Sequence, residues 1–176
     1  MIAFLKKYYW ILISACIVLL DQVTKSIISA TLSLYEEVPV IEDFFAITHI
    51  HNEGIAFGML SKFGNISKII VAILTFVLIV VAIVFLCRGV IKHPFGIVTI
   101  AMIIGGGIGN LIDRIYLHYV IDFFAFTFFG KDFAVFNVAD IFVTVGTFLF
   151  VVYFLIFERT NEEQPLQDGT KGISDN

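Results

Sequence analysis

Four long apolar stretches constrain the fold of this chain more than any other feature. They lie at about 8–28, 69–87, 95–112 and 133–157, and the second and third contain no charged residue. Each is close to the roughly 20 apolar residues that a helix needs to cross the hydrocarbon core of a bilayer. The sequence therefore predicts an all-α membrane protein with four transmembrane helices in a single domain over 1–160.

The composition excludes other classes of protein. Hydrophobic residues make up 59% of the chain and charged residues 15%, whereas an average soluble domain is about 45–50% apolar and about 25% charged. The net charge of −4 leaves no basic surface for nucleic acid. The polar segment 161–176 predicts a disordered tail in the cytoplasm.

Basic residues predict the orientation of the helices. Four crossings put both termini on one side of the membrane, and the positive-inside rule makes that side the cytoplasm. The basic residues at its edges are Lys6, Lys7, Arg88, Lys92 and Arg159. The first stretch resembles a signal peptide, but it continues apolar beyond Cys16, which favours a retained anchor.

The two connections on the outer side differ in character. Alternating and β-branched residues at 44–51 predict a short strand that ends at the turn residues Asn52 and Gly54. The segment 113–132 mixes carboxylates with aromatic residues, which is typical of a segment lying in the membrane interface. We therefore expect a small extracytoplasmic β element and an interfacial segment between helices 3 and 4.

Ionisable residues in or near a membrane span indicate a specific structural or functional role, because a charge at the bilayer centre costs about 3 kcal/mol or more. Three predicted helices carry, near their outer ends, polar residues whose spacings of three and four positions place them on one helix face. Structural hydrogen bonding between helices and a shared functional site both explain such stripes. The stripes are Asp21, Thr24 and Lys25; Asn110, Asp113 and Arg114; and Asn137, Asp140 and Thr144.

Three further features have ordinary explanations. The glycines at 105–109 lie inside a spanning segment with no preceding strand, so they predict close helix packing rather than a nucleotide loop. His49 and His51 would share a strand face, but two ligands fall short of a metal site. Cys16 and Cys87 lie in apolar runs, and we expect neither a disulfide nor a metal cluster from them.

Five segments, taken in order, resemble the motifs of the lipoprotein signal peptidase family, also called signal peptidase II. The family usually has Ala where Gly107 stands and often Pro where Ala134 stands, but the polar positions are intact. The matching segments are DQVTK at 21–25, NEGIAF at 52–57, GGGIGNLIDR at 105–114, VIDF at 120–123 and FNVAD at 136–140.

The resemblance implies an intramembrane aspartic endopeptidase of the bacterial cytoplasmic membrane, with its site toward the extracytoplasmic face. It would remove the signal peptide from a diacylglyceryl-modified prolipoprotein, just before the lipidated cysteine. Asp122 and Asp140 would form the catalytic pair, with no metal or other cofactor. The partners would be the prolipoprotein and membrane lipid, and we expect a monomer. Supporting, substrate-binding or orienting roles would fall to Asp21, Lys25, Asn52, Gly54, Asn110, Asp113, Arg114 and Asn137.

Two other interpretations of the same carboxylates stay open at this point. A small transporter or proton-conducting protein would use them as a relay, although relays favour ionisable groups spread through the membrane. A non-catalytic assembly factor would tolerate the loss of Asp122 or Asp140.

The predicted topology can be tested with single cysteines in a variant that lacks Cys16 and Cys87. A membrane-impermeant thiol reagent should label Glu42→Cys and Lys131→Cys from outside, because both residues fall in the outer connections. It should leave Lys92→Cys unlabelled until the membrane is opened. External labelling of Lys92→Cys would reject the orientation.

Overall fold

The computed structural model describes residues 2–54 and 65–158. Within these ranges the protein has four helices long and apolar enough to cross a membrane, so the predicted fold class is confirmed. The helices are α1 (Ile2–Thr31), α2 (Asn65–Cys87), α3 (Pro94–Tyr116) and α4 (Val138–Tyr153), and α4 continues into a π-helical turn at Phe154–Glu158. The predicted tail, 161–176, lies outside the described residues.

Helix α3 is the centre of the bundle and packs against α1, α2 and α4. About 56% of its span is buried inside the protein, against 11% of the span of α2. Its buried face includes Ile100 and Ile104, which pack with Trp10, Ile79 and Tyr153 from the other three helices. Because α3 touches every other helix, its polar residues can meet those of α1 and α4.

The glycines of α3 permit this close contact, as predicted. A Cβ at Gly106 would overlap the carbonyl oxygen of Ala139 in α4, and one at Gly105 would lie 2.9 Å from the Cβ of Ile17 in α1. Close approach of this kind supplies the packing contacts that hold helices together in lipid.

A four-stranded antiparallel sheet lies beside the helix ends. Its strands, in spatial order, are β1 (Glu37–Ile41), β2 (Phe45–Asn52), β3 (Val120–Phe128) and β4 (Lys131–Phe136). The strand predicted at 44–51 is confirmed as β2. In the β2–β3 register Asn52 lies opposite Val120 and Ile50 opposite Asp122, so one end of the sheet brings Asn52 next to Asp122.

The sheet is larger than predicted because it includes the connection between α3 and α4. Of the segment expected in the interface, 113–132, the first residues belong to the end of α3 and Val120–Phe128 forms β3. The predicted start of the fourth helix at 133 is wrong, since 131–136 is β4 and α4 begins at Val138. Hydropathy does not distinguish an apolar strand from a helix. Pairing with β3 decides here, because Phe136 lies opposite Phe124 and its ring stacks on that of Phe126 at 5.6 Å.

The other predicted boundaries are closer. Helices α2 and α3 begin before 69 and 95 and α3 runs past 112. Helix α1 begins at Ile2 and ends at Thr31, beyond the predicted 8–28, with a break in its helical backbone at Tyr8.

Two adjacent glycines of α3 give a matched test of the close packing. Gly106→Ala should lower the free energy of unfolding by about 1–3 kcal/mol, because the new Cβ would overlap the backbone carbonyl of Ala139. Gly107→Ala should be nearly neutral, since its Cβ would meet side chains rather than backbone: Ile79 Cγ1 at 3.1 Å, which a small shift relieves, and Thr75 Cγ2 at 4.0 Å. Thermal unfolding in detergent compares the two, and equal melting temperatures would contradict the packing argument.

Candidate active site

Polar side chains from α1, α3, α4, β2 and β3 converge where the helices meet the sheet. The three predicted stripes meet there, and Asn52 and Asp122 join them from the sheet. Hydrogen bonds or ion pairs link Asp21, Lys25, Asn52, Asn110, Asp113, Arg114, Asp122, Asn137 and Asp140.

The side-chain amide of Asn137 connects the carboxylate of Asp122 to the backbone of Asp140. Its Nδ2 donates to Asp122 Oδ1 at 2.6 Å, and its Oδ1 accepts from the backbone N–H of Asp140 at 2.9 Å. The Nδ2 of Asn110 donates to Asp140 Oδ1 at 2.7 Å. Two carboxylates from different elements are therefore held on one small network of amides.

Asn137 has this position because it begins helix α4. Its extended backbone and its bond to the N–H of Asp140 make it the N-cap, and the Asp140 carboxylate accepts in return from the Asn137 N–H at 3.3 Å. This capping box satisfies backbone donors that a helix start leaves unpaired. The same local geometry places the Asp140 carboxylate at the sheet end of the helix.

Asn52 fixes the other side of the Asp122 carboxylate. Its Nδ2 donates to Asp122 Oδ2 at 2.7 Å, while its Oδ1 accepts from the N–H of Gly54 at 2.9 Å. Gly54 has a φ of +76°, a conformation that glycine adopts without strain. The turn therefore orients the amide so that it presents a donor to Asp122.

Burial alters the acidity of Asp122. Its side chain is 1% exposed, and removal from water raises its pKa to about 7. This value is the net result: the charge of Asp140 adds to the effect of burial, whereas the hydrogen bonds from Asn52 and Asn137 and the charge of Lys25 lower the pKa. A carboxyl group with this pKa can hold or release a proton near neutral pH.

Lys25 is the buried cation of the network. Its Nζ lies 2.8 Å from Asp21 Oδ2 and 2.9 Å from Asp113 Oδ2, and it donates to Asn110 Oδ1 at 3.0 Å. Lys25 and Asp21 are 1% and 0% exposed. Since Asn110 also receives the Nδ2 of Asn137 at 3.0 Å, Lys25 fixes the amide that reaches Asp140.

Asp21 and Asp113 hold the backbone beside the other two carboxylates. Asp21 Oδ1 accepts from the N–H of Ala139 at 2.9 Å, and Asp113 Oδ2 accepts from the N–H of Ile121 at 3.2 Å. Ala139 precedes Asp140 in the chain, and Ile121 precedes Asp122.

Sequence analysis missed Gln22. Its Nε2 donates to Asp113 Oδ1 at 2.9 Å and lies 3.2 Å from the carbonyl oxygen of Gly109 and 3.3 Å from Asp21 Oδ2. The residue falls outside the i, i+3, i+4 stripe of α1, which is why the spacing argument passed over it. The available signal was its position next to Asp21, within the polar segment 21–26 of a predicted transmembrane helix.

Two cavities open beside the carboxylates. One of about 350 Å³ is lined by His51, Asn52, Glu53 and Asp122, among others. The second, of about 390 Å³, is lined by Asn52, Arg114, Tyr119 and the α2 residues Lys68, Ile69 and Ala72. Arg114 donates to the carbonyl of Asn110 at 3.2 Å, so the guanidinium lies between the network and this cavity.

Other polar residues stay apart from the network. Thr24 donates to carbonyl oxygens of its own helix, and Thr144 is exposed. His49 Nδ1 lies 3.0 Å from the Leu32 carbonyl oxygen, and His51 stacks on Tyr119 at 3.7 Å. Among the described residues, no three His, Cys, Asp or Glu side chains are grouped to hold a metal ion. The two cysteines are free thiols.

Comparisons with known proteins agree on one family. The family model for signal peptidase (SPase) II matches residues 13–156. A lipoprotein signal peptidase of Caldanaerobacter subterraneus subsp. tengcongensis is 42% identical over 151 residues, covering 84% of this chain and 96% of the relative. One of Staphylococcus haemolyticus is 37% identical over 162 residues, covering 90% and 99%.

A solved structure supports the fold. A bacterial membrane enzyme determined by the in meso method at 2.3 Å resolution superposes with a TM-score of 0.76 at 32% identity. The match covers 90% of this chain and 94% of that one.

The raised pKa of Asp122 predicts how stability depends on pH. Its ordinary pKa is 3.8 and its folded value about 7, so between these values the folded state binds more of the proton than the unfolded state. The stabilisation that comes from protonation of Asp122 is fully present below pH 3.8 and is lost as the pH rises through 7. The free energy of unfolding changes by up to about 1.4 kcal/mol per pH unit in this range. Asp122→Asn should lack this slope.

Thermal unfolding in detergent, from about pH 5 to about pH 8, measures the difference between Asp122→Asn and the unsubstituted protein. The melting temperature of the unsubstituted protein should fall relative to that of the variant until about pH 7 and then run parallel to it. Parallel curves throughout would mean that Asp122 is not protonated in the folded protein.

Proposed function

The chain belongs to the signal peptidase II family, and from this membership we propose that it cleaves diacylglyceryl-modified prolipoproteins with Asp122 and Asp140. It is a multi-pass bacterial membrane peptidase that removes signal peptides from prolipoproteins. The finer proposal is that the bond cut lies just before the lipidated cysteine and that water, activated by the two aspartates, is the nucleophile.

The observation that carries this proposal is the connection of the two carboxylates through Asn137. The amide lies 2.6 Å from Asp122 and caps the helix that presents Asp140. Neighbouring carboxylates do not both ionise readily, so such a pair shares a proton and titrates as a unit. One ionised and one protonated carboxyl group is the combination that peptide hydrolysis by water requires.

The first chemical step adds water to the scissile carbonyl. The ionised carboxylate takes a proton from the water as its oxygen bonds to the carbonyl carbon. The protonated carboxyl group hydrogen-bonds the carbonyl oxygen and transfers its proton there, which leaves a neutral tetrahedral diol.

The second step breaks the bond between the carbonyl carbon and the nitrogen of the lipidated cysteine. The carboxyl group that received the water proton passes it to the departing nitrogen, while the other recovers a proton from a diol hydroxyl. The products are a signal peptide with a new carboxyl group and a lipoprotein with a free N-terminal amine. Both aspartates return to their starting protonation, so no cofactor is consumed.

The remaining residues of the site suit substrate binding. A peptide segment that leaves its helix within a membrane carries unpaired backbone groups. The exposed amide of Asn52 and the guanidinium of Arg114 line cavities beside Asp122 and would pair with those groups. The apolar α2 residues Ile69 and Ala72, in the same cavity as Arg114, would contact the signal helix or the lipid chains.

We propose that the site faces the extracytoplasmic side and that both termini lie in the cytoplasm. The single domain, 1–160, would act as a monomer on a prolipoprotein that reaches it through the membrane. The support is the position of the network at one end of the helices, beside the sheet. A proton relay would instead need carboxylates at several depths, whereas in the described spans Asp21, Asp113 and Asp140 meet at one level.

Asp122→Asn and Asp140→Asn should each abolish cleavage of a lipidated prolipoprotein by the purified protein. An amide keeps the shape of the carboxylate but neither removes a proton from water nor shares one. Because the two act as a unit, the double variant should be hardly slower than either single variant. Single-turnover cleavage at saturating enzyme measures the chemical step.

Asp113→Asn is the matched control, because Asp113 belongs to the same network but lies outside the proposed pair. Removing one partner of a buried polar network typically costs about 1–3 kcal/mol, so this variant should melt earlier yet keep measurable turnover in the folded fraction. A stable but inactive Asp113→Asn, together with normal cleavage by Asp122→Asn, would reassign the pair to Asp113 and Asp140.

A further inference from the structure

We propose that Gln22 is a positioning residue for the reaction: with Lys25 it clamps the carboxylates of Asp21 and Asp113, and these set the backbone positions of the two aspartates proposed as catalytic. The inference rests on the proposed function, since it concerns the spacing of Asp122 and Asp140. Gln22 itself lies on α1 and acts through other residues.

The clamp reaches each aspartate of the pair through the preceding residue. Asp21 holds the N–H of Ala139 at 2.9 Å and Asp113 holds the N–H of Ile121 at 3.2 Å. Consecutive Cα atoms are about 3.8 Å apart across a rigid peptide plane, so a fixed N–H constrains the next residue closely. The distance between the Asp21 and Asp113 carboxylates therefore helps to set the distance between the other two.

Those two clamping carboxylates repel each other, and one cation serves both. Lys25 Nζ lies 2.8 Å from Asp21 Oδ2 and 2.9 Å from Asp113 Oδ2, which leaves Asp113 Oδ1 without a bond from this cation. An unsatisfied buried acceptor costs about 1–3 kcal/mol, and more when it is charged. A further donor is needed, and a neutral one meets the need without disturbing the charge balance.

Gln22 supplies that donor. Its Nε2 reaches Asp113 Oδ1 at 2.9 Å and Asp21 Oδ2 at 3.3 Å, so it touches the same two carboxylates as Lys25 from a second direction. Its third contact, 3.2 Å from the Gly109 carbonyl oxygen, ties α1 to α3. Gly109 has no side chain, and a Cβ there would lie 2.5 Å from Asp21 Oδ2, so the backbone of α3 leaves room for the clamp.

Two isosteric variants separate positioning from simple stability. Gln22→Met keeps the shape and removes the donor, so kcat should fall about 10- to 100-fold, the range expected for misplacement by up to about 1 Å. KM should stay within about twofold, because Gln22 acts through other residues rather than on the substrate. Ser26→Ala, one turn along the same helix and exposed, removes a hydrogen bond to the backbone carbonyl of Gln22 but leaves its side-chain amide in place, so it should match the unsubstituted protein.

Gln22→Glu adds a second measurement, the pH dependence of kcat, which a purely structural role of Gln22 would leave unchanged. When the carboxyl group introduced by this substitution is ionised, it only accepts hydrogen bonds, whereas its protonated form donates one through its O–H. The charged groups around it are Asp21 and Lys25 from α1 and Asp113 from α3. Arg114 of α3 interacts electrostatically with Asp113 and with Asp122 of β3 and Asp140 of α4, and α4 also contributes the backbone of Ala139. The ratio of the kcat of Gln22→Glu to that of the unsubstituted protein should rise as pH falls, while the ratio for Gln22→Met stays level.

Each result decides between the proposals. Unchanged kcat in Gln22→Met, or a rise in KM alone, would overturn the clamp. A Gln22→Glu ratio independent of pH would overturn it as well, and this arm decides if Gln22→Met does not fold. Asp122→Asn and Asp140→Asn are assayed beside them: if these still cleave, the proposed pair is wrong whatever Gln22 does, and if they are inactive the Gln22 variants test the clamp alone.

Discussion

The buried ion pairs of Lys25 are the interaction on which the rest of the site depends. A charge in the membrane is costly, and Lys25 is 1% exposed, so it is tolerated only because Asp21, Asp113 and Asn110 surround it at 2.8–3.0 Å. Breaking a buried pair by removing one partner costs far more than the pair itself contributes. The network therefore contributes less to stability than to specificity. It fixes one arrangement of α1 and α3, because other arrangements would leave a buried charge unpaired.

From that arrangement the positions of the strand and the fourth helix follow. Asp21 ties α1 to the start of α4 through Ala139, and Asp113 ties α3 to the start of β3 through Ile121. Gly106 lets α4 approach α3 until the backbones touch. The carboxylates of Asp122 and Asp140 thus come from two different elements, β3 and α4, and each is anchored one residue away to the same charged cluster.

Much of this could be predicted from the sequence, for identifiable reasons. Hydropathy located four helices because lipid demands apolar length, and helical spacing grouped Asp21 with Lys25 and Asn110 with Asp113. Spacing did not distinguish Asp113 from Asp122, since both are carboxylates near the membrane surface, and only the family resemblance suggested a choice. The sequence predicts the start of α4 where strand β4 lies, because 133–136 is as apolar as a transmembrane helix and its strand pairing depends on residues of β3. The spacing argument does not select Gln22, because this residue lies outside the i, i+3, i+4 stripe of α1.

The meeting of sheet and helices also explains how a peptidase can work on a substrate that arrives in lipid. Inside the hydrocarbon core a peptide satisfies its backbone by staying helical, and a helical backbone does not present its carbonyl to a nucleophile. A cut therefore needs a place where the segment can unwind, find hydrogen-bond partners and meet water. Asn52 is exposed while its amide bonds the buried Asp122. This single contact therefore joins a solvent-exposed residue to a buried carboxyl group with a raised pKa. A bundle of helices alone would place carboxylates against lipid or against one another. The end of the sheet, where the exposed Asn52 bonds Asp122, supplies contact with solvent, while the start of α4 carries Asp140, and the reaction we propose requires both.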